Sequence, residues 1–304
     1  MGSGASELSA DERKPLLAGL QARAESDPSL TEFSSMDLTE HRGMTLAQFR
    51  DLEKDLKRRA DKDGWLHGWV DRDCNTCHVD SVNLYDVVKY LVKPKTKKKN
   101  CSYVELVARA GTRAQTPKWF VSHWWGGPVL DFIACLELHA KVRVLSPDEA
   151  VYWVCAYSSN LHELGSDIMA DPREPAFLTA LQMCEGVVVV LDPAAIVFLR
   201  IWCIFEQLMA AQSKKLLLDF ATVHSGTAQL LTDGFAYKEE RKDVKAARER
   251  GFPLELIEKG YALDITKAEA TREEDKRYIL KSISGVDPPR GAHTRLCRLI
   301  YHEK

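Results

Sequence analysis

The run Gly186-Val-Val-Val-Val-Leu191 restricts the fold of this chain more than any other stretch. Consecutive β-branched residues without polar alternation suit a strand buried on both faces, the condition of parallel sheets with helices on each side. A turn at Asp192-Pro193 follows, and then Phe198-Leu-Arg-Ile-Trp-Cys-Ile-Phe-Glu-Gln-Leu-Met209, which reads as an apolar helix with one carboxylate, Glu206. On a helical wheel Phe198, Ile201, Trp202, Phe205, Leu208 and Met209 form one arc, with Arg200 and Gln207 opposite. Glu206 falls on the boundary, where partial desolvation raises a carboxyl pKa.

Other segments fit the same strand–helix alternation. Trp119-Phe-Val-Ser-His123 and Val151-Tyr-Trp-Val-Cys-Ala-Tyr157 read as strands, and so do Leu216–Ala221 and Tyr261–Ile265. Helices are predicted after Pro128, over Glu174–Glu185, over Glu239–Arg250 and from a capping box at Thr271 and Glu274. The prediction is an α/β fold, a five-stranded parallel sheet with helices on both faces. Ligands of such sheets sit beyond the carboxyl ends of the strands. His123, Trp124, Trp125, Gly126, Asn160, His162 and Asp192 all fall on that edge.

Before this domain (116–286) lie a tail (1–40) and a segment (41–115) predicted as a helical extension; 287–304 form a C-terminal tail. Leu46, Phe49, Leu52 and Leu56 mark one amphipathic helix with Thr45 as N-cap. A second is predicted over Val82–Val92, ending at Pro94 and the lysines that follow.

A formal charge of −2 excludes a global field that would favour nucleic acid. Eight cysteines, several within apolar runs, suit a reducing, cytoplasmic setting without a disulfide framework. The start Met1-Gly2-Ser3-Gly4-Ala5-Ser6 fits the pattern for acylation of Gly2, and the lysines between Lys95 and Lys99 would supply the second, electrostatic contact with a membrane surface. Cys74-Asn-Thr-Cys77-His78 has the spacing of a haem attachment or, with His67, of half a zinc site. It lacks the second Cys pair that would complete four ligands, and no metal is assigned.

Three motifs together, Phe-Val-Ser-His-Trp-Trp-Gly126, Tyr-Trp-Val-Cys-Ala-Tyr-Ser-Ser-Asn-Leu-His162 and Arg-Ile-Trp-Cys-Ile-Phe-Glu206, resemble those of the Toll/interleukin receptor (TIR) family, and particularly TIR-like proteins of protists and algae. The resemblance covers about residues 118–285. It implies a flavodoxin-like sheet and, as in the enzymatic members, cleavage of NAD at the nicotinamide–ribose bond. The family's catalytic Glu maps onto Glu206, three residues beyond the pair Trp202-Cys203. His123, Trp124, Trp125, Gly126, Asn160, His162, Asp192 and Trp202 are then the expected substrate contacts. NAD is a substrate in this reading, with no further cofactor. Two departures stand out: Arg200 occupies a position usually held by Ser, and the loop Ser158–Gly165 is not a close match. The resemblance equally admits a non-catalytic module that assembles with itself or with other TIR-like domains.

Overall fold

The computed structural model describes residues 38–109, 115–163, 175–213, 215–261, 267–270 and 273–283. It begins with a short strand β1 (Met44–Thr45) and helix α1 (Leu46–Arg59). The Thr45 hydroxyl accepts from the Gln48 N–H, and the Gln48 side chain accepts from the Thr45 N–H, a reciprocal cap. Leu46, Phe49, Leu52 and Leu56 are its buried face.

The segment 41–115 is not purely helical. Besides β1 it contains the antiparallel pair β2 (Trp65–Val70) and β3 (Thr76–His78). The turn between them is closed by the Asp71 carboxylate, which accepts from the N–H groups of Asp73 and Asn75. Helix α2 (Leu84–Val87), a π-helical turn (Val88–Val92) and α3 (Lys93–Thr96) then follow without a break. The helix therefore passes Pro94 instead of stopping there. A proline ring crowds the carbonyl four residues earlier, and the wider π turn gives that carbonyl room. A short helix α4 (Tyr103–Val107) ends the segment, capped by Ser102.

Next come β4 (Trp119–His123), α5 (Val129–Val142), β5 (Val151–Trp153), a single helical turn α6 (Cys155–Ser158), α7 (Pro175–Met183) and β6 (Gly186–Leu191). After a 3-10 turn (Ile196–Leu199) the chain forms α8 (Ile201–Gln212), β7 (Leu217–His224), β8 (Thr227–Leu231), α9 (Lys242–Glu249), α10 (Leu254–Tyr261) and α11 (Glu273–Ile283). The strand expected to reach Tyr157 ends at Trp153, since the N–H groups of Tyr157 and Ser158 both turn back to the Val154 carbonyl.

Among the described residues the main sheet has six strands in the order β1-β5-β4-β6-β7-β8. Four of them, β5-β4-β6-β7, are parallel; β1 and β8 pair antiparallel on the two edges. Numbered by chain position, the parallel strands run 2-1-3-4, consistent with the flavodoxin-like α/β class and with a switch point between β4 and β6. Four of the five strands expected to run parallel are thus present among the described residues, and the two antiparallel edge strands β1 and β8 were not expected. The last described strand returns through a two-residue turn, Ser225-Gly226, with φ of 50° and 72°. Two left-handed residues are what a tight hairpin requires. Of the strand predicted over Tyr261–Ile265, Tyr261 ends α10, and residues 262–266 lie outside the described residues. So do Gly2, Thr271, residues 1–37 of the N-terminal tail and the whole C-terminal tail.

Each face of the sheet carries its own core. Trp119, Val121, Tyr152 and Val188 point toward α1 and α5, sharing one cluster with residues from Met44 to Val104. The 41–109 segment is thus packed into the same core as the sheet. Phe120, Trp153, Val187, Val189 and Phe220 point the other way, toward α7 and α8. Among the described residues no helix is long and apolar enough to cross a membrane.

Candidate functional site

The period-2 alternation of β4 decides the geometry of the strand tips. Phe120 belongs to the α8 side of the sheet and Val121 to the α5 side. Ser122 therefore faces α8, and His123 faces α5, where its ring meets Phe132 with centroids 4.7 Å apart. Glu206 lies on α8. The two residues predicted to converge on one substrate are thus on opposite faces of the sheet.

Helix α8 is fixed to the tip of β4 by the Cys203 thiol, which donates to the His123 carbonyl at 3.6 Å. Its start is held by Arg200, whose backbone is extended, and by the Ile201 N–H, which donates to the Glu269 carbonyl at 2.9 Å. This places Glu206 in the second turn, 8% exposed. No cation pairs with it among the described residues, and its Oε2 is buried without a hydrogen-bond partner. Burial raises its pKa to about 8; the nearby Ser122 hydroxyl pulls weakly the other way. Ser122 Oγ lies short of hydrogen-bond geometry with any group, so this opposing pull is electrostatic proximity and not a formed bond.

Two thiols share the neighbourhood. Cys155, at the start of α6, is raised to about 12 by burial and by the Glu206 charge. Cys203 is raised well above the ordinary thiol value for the same two reasons. Both stay protonated at neutral pH, which rules them out as thiolate nucleophiles there. The carboxyl is the one group in this cluster able to change charge near pH 8. Protonated it donates a hydrogen bond; ionised it stabilises a developing cation.

On the opposite face, a narrow cleft open to solvent lies at the switch point between β4 and β6. It is lined by His123, Trp124, Gly127, Asp192 and Tyr157 among others, and not by Glu206, Trp125 or Trp202. The Trp124 indole packs against Gly126, where a Cβ would come within 2.2 Å of the ring. Only glycine fits beneath that ring.

The remaining predicted residues have structural partners. Trp125 is buried against Tyr85, with ring centroids 5.5 Å apart. Trp202 sits in the α8-side core in edge contact with Phe177 and Phe205. The Asp192 carboxylate closes its own turn by accepting from the N–H groups of Ala194 and Ile196 at 2.9 and 2.8 Å. Asn160 donates to the Asn100 carbonyl at 2.9 Å, and His162 Nε2 is 2.8 Å from the Thr96 hydroxyl. These two tie the loop after α6 to the 41–109 segment.

Lys95 is committed to Asp55 at 2.8 Å, which leaves Lys97, Lys98 and Lys99 as the open part of the basic cluster. His67 bonds Asp61, and His78 bonds the Asp63 carbonyl. Among the described residues no three His, Cys, Asp or Glu side chains are grouped to hold a metal.

Sequence reasoning missed Ser122 and Cys155, and it placed Tyr157 on the ligand edge without giving it a role. The first was within reach, because the alternation Phe120, Ser122 assigns both to one face. The placement of Tyr157 depends on β5 ending early, which no local pattern signals. Comparison with protein-family models, curated proteins and solved structures returned no match to this chain.

Proposed function

We propose that this chain is a TIR-like signalling protein that hydrolyses NAD at the nicotinamide–ribose bond, with Glu206 as the acting carboxyl. The observation that carries this reading is a buried acid without a cation, at the carboxyl edge of parallel strands. An unpaired buried carboxyl lowers stability, and such groups cluster at functional sites. The resemblance of the Trp202-Cys203-x-x-Glu206 motif supplies the reaction class.

The chemistry follows from charge. The nicotinamide ring of NAD is cationic, so its arrival favours ionisation of Glu206. As the C1′–N bond breaks, the ring leaves neutral with the bonding electrons, and positive charge moves to the ribose. The carboxylate stabilises that oxocarbenium-like sugar, as paired carboxyls do in glycoside hydrolysis. Water adds at C1′ and releases its proton to solvent. Since the unliganded acid has a pKa of about 8, kcat/KM rises with pH between 6 and 8.5.

The test is nicotinamide release by concentrated protein, with Glu206→Gln as control. A loss of about 100-fold in the variant is expected. Equal rates would remove Glu206 from the mechanism. A second reading, a non-catalytic module that assembles with itself or other TIR-like domains, is favoured by the 8% exposure of Glu206 and by the placement of the cleft on the other face. It predicts no release at any protein concentration.

A further inference from the structure

The cleft on the α5 side holds two buried polar atoms that nothing in the protein satisfies, His123 Nε2 and the Tyr157 hydroxyl. Tyr157 is 1% exposed and packs edge-on against Phe49, with ring centroids 5.7 Å apart. Its oxygen has no hydrogen-bond partner within the protein, and an unmade buried hydrogen bond is costly. Burial pushes the His123 imidazole down to about 4, so it is neutral at pH 7; contact with the Val121 carbonyl opposes this only in part. In the tautomer with the proton on Nδ1, facing that carbonyl, the neutral ring presents a bare Nε2, which accepts and does not donate.

The rest of the cleft narrows the ligand. Its walls are mostly apolar, including Val129, Phe132, Val190 and Val223 besides the Trp124 indole. Neither Lys nor Arg lines it, whereas Asp131 and Asp192 do. At the start of α5 the Val129 N–H is already given to the Val82 carbonyl at 2.9 Å. A phosphate would therefore meet carboxylates and no cation, which disfavours any nucleotide. A flat ring with an N–H and no charge fits each feature.

We propose that this cleft is a second binding site, separate from Glu206, for a small uncharged nitrogen heterocycle that donates to His123, bonds the Tyr157 hydroxyl and stacks on Trp124. The site stands independently of NAD cleavage. The experiment is calorimetric titration of the full chain with adenine, and with adenosine monophosphate as its anionic counterpart. Adenine is expected to bind saturably and the monophosphate at least about tenfold more weakly. Tyr157→Phe keeps the ring and removes only the unpartnered oxygen; adenine affinity should fall about fivefold. Trp124→Ala, at a partly exposed position, should weaken binding as well, while Glu206→Gln leaves it unchanged. The proposal is overturned by an absence of saturable adenine binding or by equal affinity for the monophosphate. Binding that survives Tyr157→Phe and Trp124→Ala but is lost in Glu206→Gln would overturn it too, because the ligand would then lie on the other face.

Discussion

Asp219 and Glu206 are both buried carboxyls of one sheet, and their surroundings treat them in opposite ways. Asp219, at the start of β7, is 0% exposed. Arg143 grips it with two donors, at 2.6 and 2.9 Å, and the Asp233 N–H adds a third at 2.8 Å. His139 Nε2 lies 3.2 Å away, close enough for electrostatic attraction although not aligned as a hydrogen bond. Burial alone would raise this acid; His139 and Arg143 overcome it and hold the pKa below the ordinary value. Glu206 has comparable burial and no such partners, so desolvation wins. One site is near the amino ends of the parallel strands, the other at their carboxyl ends. The first is built to remain charged, and the second changes charge near neutral pH.

The largest effect should come from breaking the paired site. Asp219→Ala leaves Arg143, whose side chain is 6% exposed, without its counter-charge. Denaturant unfolding at pH 7 should show a loss of roughly 3–5 kcal/mol. A loss under about 1 kcal/mol would mean that Arg143 finds water or another partner.

The unpaired site should behave in reverse. A folded-state pKa raised to about 8 gives stability that is complete below the ordinary carboxyl value and lost as pH rises through 8. His123 and His139, lowered by burial, act oppositely below their ordinary value of 6.5. The window from pH 6.5 to 8 therefore isolates Glu206. Glu206→Gln should match the wild type near pH 5 and exceed it by roughly 2–4 kcal/mol at pH 8.5. Parallel pH profiles would contradict the unpaired assignment.

Smaller changes sharpen the contrast. The Tyr152 hydroxyl is 2.9 Å from His139 Nδ1 and 3.3 Å from the Leu136 carbonyl, so Tyr152→Phe should cost about 1 kcal/mol by thermal unfolding. Ser122→Ala removes a hydroxyl with no partner and should change stability by less than about 0.5 kcal/mol. It should also move the Glu206 titration slightly upward, because one group favouring the ionised form is gone.

What the sequence revealed follows the range of each signal. The valine run, the Thr45 cap and the Leu46–Leu56 stripe are local patterns, and each matches an observed element. The hairpin β7–β8 was missed although Ser225-Gly226 stands between apolar runs. Its polar flanks, Gln229 and Thr227, masked the second strand. The helix through Pro94 required a π turn that no spacing rule supplies. At the strand tips, the chain position of His123 and Glu206 was legible, but their separation across the sheet depended on the parity of β4. Counting from Val121 to His123 gives that parity; the motif, read as one block, hides it. The Asp219 network was not legible at all, since its members come from α5 and its C-cap, β5, β7 and the loop after β8, far apart in the chain.

The most direct test is a carbon-13 NMR titration of the Glu206 side-chain carboxyl, assigned by its loss in Glu206→Gln. A midpoint near pH 8 is expected in the folded protein. A midpoint near the ordinary 4.5 would show that the carboxyl is solvated or paired, and would remove the basis for placing chemistry there.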